Sequence, residues 1–129
     1  MLTDAFRVEG SELASDGGTR YRVLFLGPDA RFMTLPTLQR MAELVEQGAT
    51  LVGRKPQASP SLADNAIAFA ALASRLWDSE RVIDSNDVEA ALAEFGHGAD
   101  FAMSGADDAE IMFLHRRIGD AHIYFVTNR

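Results

Sequence analysis

The sequence predicts a three-layer α/β/α domain whose mostly parallel central sheet is followed by a C-terminal antiparallel hairpin. Short apolar runs alternate with stretches of helical periodicity, as expected of consecutive βαβ units. Two strand-like runs near the end of the chain flank a turn that contains glycine. The length of 129 residues suits one domain. It is too short for a (β/α)8 barrel, which takes about 250 residues.

The first elements form a hairpin and a βαβ unit. A turn signal at residues 15–18 separates the first strands, because glycine supplies a positive φ there without steric cost. The run at residues 19–26 ends in four apolar residues, which is typical of a strand covered on both faces. A helix follows, with Thr34 as its cap and Pro36 in its first turn. Residues 49–53 then form a short buried strand, which completes the unit.

Two more helices alternate with a third strand after the loop at residues 54–62. Asp64 or Asn65 is expected to cap the second helix, and Asn86 to cap the third. The strand between these helices covers residues 81–83. Six apolar residues on these elements and on the hairpin are expected to form the core: Leu24, Leu51, Val52, Phe69, Leu92 and Phe125.

The C-terminal hairpin carries a pair of histidines. With the turn centred on residues 118–119, His115 lies opposite His122, and their Cβ atoms are about 5 Å apart. Two imidazoles at that distance can bind a metal, but a third ligand is needed and the chain has no cysteine. The favoured interpretation is that both histidines pack at the end of the sheet beside Arg116 and Arg117. No metal site is therefore assigned.

Composition excludes several functional classes. Lys and Arg total 12 against 19 Asp and Glu, and the net charge of −7 repels phosphate backbones, so no nucleic-acid partner is expected. The longest apolar run, residues 66–73, is far shorter than the roughly 20 residues that a bilayer requires, so no membrane partner is expected. A nucleophile elbow and phosphate-binding glycine loops are missing, so no catalytic residue and no cofactor is assigned. The acidic cluster at residues 107–110 is interpreted as a solvated patch rather than a calcium site.

Arg54 and Lys55 are the candidate binding residues of the loops. They directly follow the second parallel strand, and ligands of open α/β sheets bind beyond the carboxyl ends of the strands. A small anion near Asp84, Ser85 or Asn86 is one interpretation. The favoured alternative is that both cations form salt bridges or contact a neighbouring domain, because exposed loop charges are usually just solvated.

Three segments, in this order, carry a resemblance to a known family. They are DGGTRYRVL at residues 16–24, GATLVGRKP with the SPSL that follows it at residues 48–62, and HRRIGDAHIYFVTN at residues 115–128. Together they resemble large bacterial α-L-rhamnosidases (glycoside hydrolase family 106) over residues 10–129. The resemblance implies a flavodoxin-like or class I amidotransferase-like α/β module that follows a separate barrel. The resemblance also implies that the catalytic glutamates and the calcium lie in that barrel. No catalytic position is carried over, because this sequence contains no matching motif.

The resemblance implies a role within a larger protein. Residues 1–129 are expected to be one accessory α/β domain, excised from a multidomain hydrolase of rhamnose-containing glycans and inactive by itself. Its partners are neighbouring domains of that chain, which His115, Arg116 and Arg117 are expected to contact. The main alternative is an independent flavodoxin-like module for small-molecule binding or oligomerisation, and a weaker one is an enzyme that uses His115 and His122. Compartment and oligomeric state are left open, and a periplasmic or secreted parent protein is compatible with the resemblance.

Overall fold

The computed structural model describes residues 6–96, 98–105 and 110–129. The chain divides into two compact units, here called unit 1 (residues 1–96) and unit 2 (residues 97–129). Asp107 and Asp108 of the acidic cluster lie outside the described residues. None of the helices in the described ranges has the length and apolar character needed to cross a membrane.

The described part of unit 1, residues 6–96, contains two small sheets and three helices. The N-terminal sheet is antiparallel, in the order β1 (Phe6–Glu9), β2 (Glu12–Ser15) and β3 (Arg20–Tyr21). The parallel sheet has the order β4 (Val23–Phe25), β5 (Thr50–Val52) and β6 (Val82–Ile83). The helices are α1 (Leu35–Glu46), α2 (Ala66–Trp77) and α3 (Val88–Glu94). Unit 2 contains the antiparallel hairpin of β7 (Ile111–Ile118) and β8 (Ala121–Asn128).

The parallel sheet shows that the predicted three-layer, flavodoxin-like or amidotransferase-like architecture is wrong. Its strands have only two or three residues each and follow the sequential order β4-β5-β6. Because βαβ crossovers are right-handed, this order places both connecting helices on one face, whereas a doubly wound sheet needs a reversal of strand order. Residues of α1 and α2 accordingly share one core cluster with Leu51. The other described strands are antiparallel, so the chain has mixed small sheets.

The N-terminal sheet uses residues that were predicted to belong to a single longer strand. The run at residues 19–26 is divided, with β3 pairing antiparallel to β2 and β4 pairing parallel to β5. β1, which was not predicted, pairs with β2. A run of strand-forming residues specifies extended backbone but not the partner strand, so the division at Arg22 has no local signal.

The core of unit 1 forms where α1 and α2 pack against β5. Three of the six predicted core residues are buried as expected: Leu51, Val52 and Phe69. The other three are half-buried or exposed: Leu24, Leu92 and Phe125. Leu24 lies on an edge strand of the parallel sheet, and Phe125 lies on the two-stranded hairpin, where 60% of its surface is exposed. Among the described strands, each of these two has a hydrogen-bonded neighbour on one side only, so its side chains have fewer flanking residues to pack against.

The predicted hairpin is present, but its register differs. β7 and β8 are joined by Gly119 and Asp120, and Gly119 has a φ of +59°. Among the residues described, positive φ is confined to glycine, so the loop has the glycine-first geometry of a type II′ turn. As a result, His115 lies opposite Tyr124 rather than opposite His122.

Only some of the helix caps in unit 1 are the ones that the sequence predicts. Asn65 caps α2, because its side-chain oxygen accepts hydrogen bonds from two backbone N–H groups of the first turn, both at 3.0 Å. Asp87, rather than Asn86, caps α3. Thr34 occupies the N-cap position of α1, but its side chain makes no capping hydrogen bond. Asp64 supplies that bond instead.

Candidate functional site

A cavity opens in unit 1 at the carboxyl ends of the three parallel strands. The N–H of Leu26 donates to the carbonyl of Val52 at 2.8 Å, and the N–H of Gly53 donates to the carbonyl of Ile83 at 3.0 Å. The loops that leave the strands therefore begin side by side, at the edge where open α/β sheets bind ligands.

The loop at residues 54–58 is held on both sides. The N–H of Gln57 donates to the carbonyl of Arg31 at 2.8 Å, which ties this loop to the one that follows β4. The indole Nε1 of Trp77 donates to the carbonyl of Gly53 at 3.0 Å, which ties the start of the loop to α2. The backbone around the cavity is thus fixed before any ligand arrives.

Three cations line this cavity, whose volume is about 460 Å³. Arg54 and Lys55, the two loop candidates predicted from the sequence, are joined there by Arg31. The side chains of Gln57 and Asn86 complete the polar lining, and small residues of the loop after β4 form the rest. The structure therefore brings both predicted cations to one concave site.

The positive charge around the cavity is only partly neutralised. Nη1 of Arg54 lies 3.4 Å from Oδ1 of Asp84, and both side chains are more than half exposed. Within the described residues, no carboxylate forms an ion pair with Arg31 or Lys55. An exposed pair such as Arg54–Asp84 stabilises a protein by about 0–1 kcal/mol, so exchanging it for a ligand costs little.

Asp64 fixes the segment between the cavity loop and α2. Its Oδ2 accepts hydrogen bonds from the N–H of Leu35 at 2.7 Å and from the hydroxyl of Ser59 at 2.6 Å. These hydrogen bonds, the one from Leu35 more than the one from Ser59, hold the pKa of the Asp64 carboxyl below its usual value. The carboxylate thus caps α1 from a separate segment of the chain.

We expect acid to destabilise unit 1 partly through Asp64. Because its folded-state pKa is lowered, its stabilising contribution is complete above the unfolded pKa of about 3.9 and is lost as the pH falls through the folded value. Asp64→Asn should therefore lower the melting temperature at neutral pH, and should also reduce the further loss as the pH falls below about 4. Circular dichroism melts measure both effects. Asp29→Asn, at an exposed aspartate, is the control, and an equal acid sensitivity of wild type and Asp64→Asn would contradict this role.

In unit 2, an aspartate, two histidines and a tyrosine form one hydrogen-bonded cluster. Nδ1 of His115 pairs with Oδ2 of Asp100, and Nε2 of His115 lies 2.8 Å from Nδ1 of His122. The ring of Tyr124 stacks on that of His115 with centroids 4.3 Å apart, and its hydroxyl donates to Oδ1 of Asp100 at 3.1 Å. Desolvation, then the hydrogen bond to Asp100, raises the pKa of Tyr124. Within the described residues, no group of three or more His, Asp or Glu side chains can hold a metal ion.

Arg116 and Arg117 lie on opposite faces of the hairpin, because side chains alternate along a strand. Arg116 shares its face with Leu114 and Phe125, which are both exposed. Neither arginine forms an ion pair in the part of the chain that the structure describes. The three predicted contact residues are therefore not equivalent, since His115 is bonded within its own unit.

The cavity of unit 1 and the cluster of unit 2 each include residues that the sequence did not predict. Arg31 and Gln57 lie in loops that follow parallel strands, so the rule that selected Arg54 and Lys55 could have found them. Asp100 had no such signal, because its contacts with the hairpin are tertiary and residues 98–105 show no periodicity.

Comparison with known proteins agrees with the resemblance seen in the motifs. The family model for alpha-L-rhamnosidase, glycoside hydrolase family 106, matches residues 1–129. A protein of Formosa agariphila named "Putative beta-glucuronidase" is 33% identical over 134 residues, which cover 98% of this chain and 11% of that protein. The solved structure of a rhamnosidase from Novosphingobium sp. PP1Y is 36% identical, with a TM-score of 0.85 over 99% of this chain and 13% of that one. The chain spans only a small part of the length of either relative.

Proposed function

Because the chain belongs to the α-L-rhamnosidase family, glycoside hydrolase family 106, we propose that it is an accessory, non-catalytic domain of a longer α-L-rhamnosidase that acts on rhamnose-containing glycans. The chain corresponds to a part of longer glycoside hydrolase chains. The observation that carries the proposal is the share of 13%, since a segment of that size is one module among several in an enzyme.

The cavity of unit 1 supports a role other than bond cleavage. Glycoside hydrolysis canonically uses two carboxyl groups that flank the scissile bond. The described residues that line this cavity offer cations and amides instead, with Arg54 and Asn86 among them. Such a lining is suited to bind and orient a ligand rather than to cleave it.

The hairpin of unit 2 supports a role in contacts between domains. The face that carries Arg116 exposes the large apolar side chains of Leu114, Ile118 and Phe125. Monomeric proteins rarely expose large contiguous apolar patches, and such patches mark interaction sites. The proposed partner of this face is a neighbouring domain of the longer chain. Arg117 and His115 lie on the other face of the same hairpin.

The purified chain is expected not to hydrolyse an aryl α-L-rhamnoside. Its rate of aryl alcohol release should equal that of buffer, because the catalytic carboxyl pair is proposed to lie elsewhere in the longer protein. Turnover that survives a second purification and is abolished by one carboxylate substitution would overturn the non-catalytic role.

A chimera tests the accessory role directly. In the Novosphingobium rhamnosidase, the matching segment is either deleted or replaced by this chain. The deletion is expected to abolish soluble, active enzyme, and the replacement to restore most of the rhamnosidase activity. Full activity of the deleted enzyme would show that the segment is dispensable and would contradict the proposal.

A further inference from the structure

We propose that the cavity at the carboxyl ends of β4, β5 and β6 binds an acidic saccharide through an oxyanion group, either a carboxylate or a sulfate ester. That the ligand is a saccharide rests on the proposed function. That it is an anion rests on the cavity itself. It assigns Arg31, Arg54 and Lys55 as the cations that hold the charged group.

Positive charge is concentrated at this cavity. The chain carries only 12 Lys and Arg against 19 Asp and Glu, yet three of these cations line a single cavity. Like charges around a concave surface repel one another, and the walls focus their field on whatever enters. An anion in the cavity relieves that repulsion, whereas a neutral sugar alone does not.

The groups that line the cavity are those that bind oxyanions and hydroxyl groups. A guanidinium group presents a planar fork of N–H donors that matches a carboxylate or a sulfate, and Arg31 and Arg54 each offer one. The amide groups of Gln57 and Asn86 both donate and accept hydrogen bonds, which suits the hydroxyl groups of a sugar ring. Cations and amides together thus favour a polyhydroxylated anion.

The cavity has the size of a small-molecule site, and the loop beside it is preorganised. A volume of about 460 Å³ falls in the range of about 300–1,000 Å³ typical of small-molecule sites, and it exceeds what an inorganic ion fills. The loop at residues 54–58 is already held by the hydrogen bonds of Gln57 and Gly53, and Pro56 within it is buried. Binding therefore requires little ordering of the backbone.

Asp84 makes the proposal sharply testable. Its carboxylate occupies one side of Arg54 and competes with any anionic ligand for that guanidinium. Asp84→Asn removes the competing charge while keeping the shape of the side chain. The variant should therefore bind the anion more tightly than wild type, an effect that a merely structural surface would not show.

The test is a titration of the ¹⁵N-labelled 129-residue chain followed by NMR at low ionic strength. D-Glucuronate and D-glucose form a matched pair that differs by one carboxylate. Glucose 6-sulfate presents a sulfate ester on the same kind of sugar, and inorganic sulfate presents the anion without a sugar. Saturable shifts confined to residues 27–31, 54–57 and 84–86 are expected with an acidic sugar, and none with glucose. The response to the two acidic sugars identifies which oxyanion the cavity prefers.

The variants assign the binding to the cavity. Arg31→Gln and Lys55→Gln should each weaken binding about tenfold, the loss expected when a hydrogen bond to a charged group is removed. Arg75→Gln is the matched control, since Arg75 is an exposed arginine of α2 that also lies 3.4 Å from a carboxylate, that of Glu46. It should leave the affinity unchanged. Well-dispersed amide spectra establish that each variant is folded.

Three results would overturn the proposal. One is the absence of saturable binding of either acidic sugar at low ionic strength. Another is inorganic sulfate binding as tightly as both acidic sugars, which would reduce the cavity to a site for any small anion. The third is an equal loss of affinity in Arg75→Gln and Lys55→Gln, which would indicate unspecific attraction. None of these results depends on rhamnoside hydrolysis, so this proposal and the proposed function can fail separately.

Discussion

Gly53→Ala is expected to destabilise unit 1 by about 2–6 kcal/mol, because it combines backbone strain with a steric clash. Gly53 follows β5 with a φ of +152°, a conformation that L side chains rarely adopt. A Cβ at this position would lie 2.5 Å from the Cβ of Leu26 and 3.1 Å from its carbonyl oxygen. Neither atom can swing away, because the N–H of Leu26 is hydrogen-bonded to Val52 on the neighbouring strand. Urea unfolding followed by circular dichroism measures the loss.

Gly17→Ala is the matched control for that substitution. Gly17 lies outside the left-handed region, and a Cβ there would meet only Oγ of Ser15 at 3.8 Å, an ordinary contact. The free energy of unfolding of Gly17→Ala should stay within about 0.5 kcal/mol of the wild-type value. Equal unfolding midpoints for Gly53→Ala and wild type would show that the approach of Gly53 to Leu26 is not required.

Leu51→Ala is expected to cost about 2–5 kcal/mol of unfolding free energy, as buried leucines do when a cavity is left behind. Leu51 is completely buried on β5, the central strand of the parallel sheet, and it packs in the cluster formed by α1 and α2. Leu24→Ala should cost less, because Leu24 is half-buried on an edge strand. The measurement is the midpoint of urea unfolding, compared among variants whose unfolding free energy depends on urea concentration with the same slope.

Leu62→Ala is the control for the leucine series, because it removes the same atoms from a fully exposed side chain. We expect a change within about 0.5 kcal/mol. If Leu51→Ala were no more destabilising than Leu62→Ala, β5 could not be the centre of the core.

Local sequence patterns predicted the helices of unit 1 and the hairpin of unit 2. Apolar residues at helical spacing placed α1, and Asn65 marked the start of α2 because a capping side chain needs only the next turn of its own helix. Gly119 marked the hairpin turn, since a positive φ there favours glycine. The ordered motifs pointed to the family that the comparison then matched over residues 1–129.

The candidate site was predicted in part. Arg54 and Lys55 could be selected because the loop after a parallel strand has a known place at the sheet edge. Arg31 also follows a parallel strand, so the same rule applies to it, but the hydrogen bond that ties its loop to Gln57 is a long-range contact that no local pattern contains. The cap that Asp64 places on α1 is of the same kind, since the carboxylate and the helix belong to different segments.

The sequence by itself determined the helices, most of the strands and the family, because these depend on neighbouring residues and on ordered motifs. Only the tertiary structure decided the order β4-β5-β6, the division of residues 19–26 between two sheets and the pairing of His115 with Tyr124. Periodicity indicates which residues face the core, but an extended run can pair with several other extended runs. The partner is therefore chosen by the packing of the whole unit, and that packing gave mixed small sheets where the local pattern predicted one mostly parallel sheet between two helical layers.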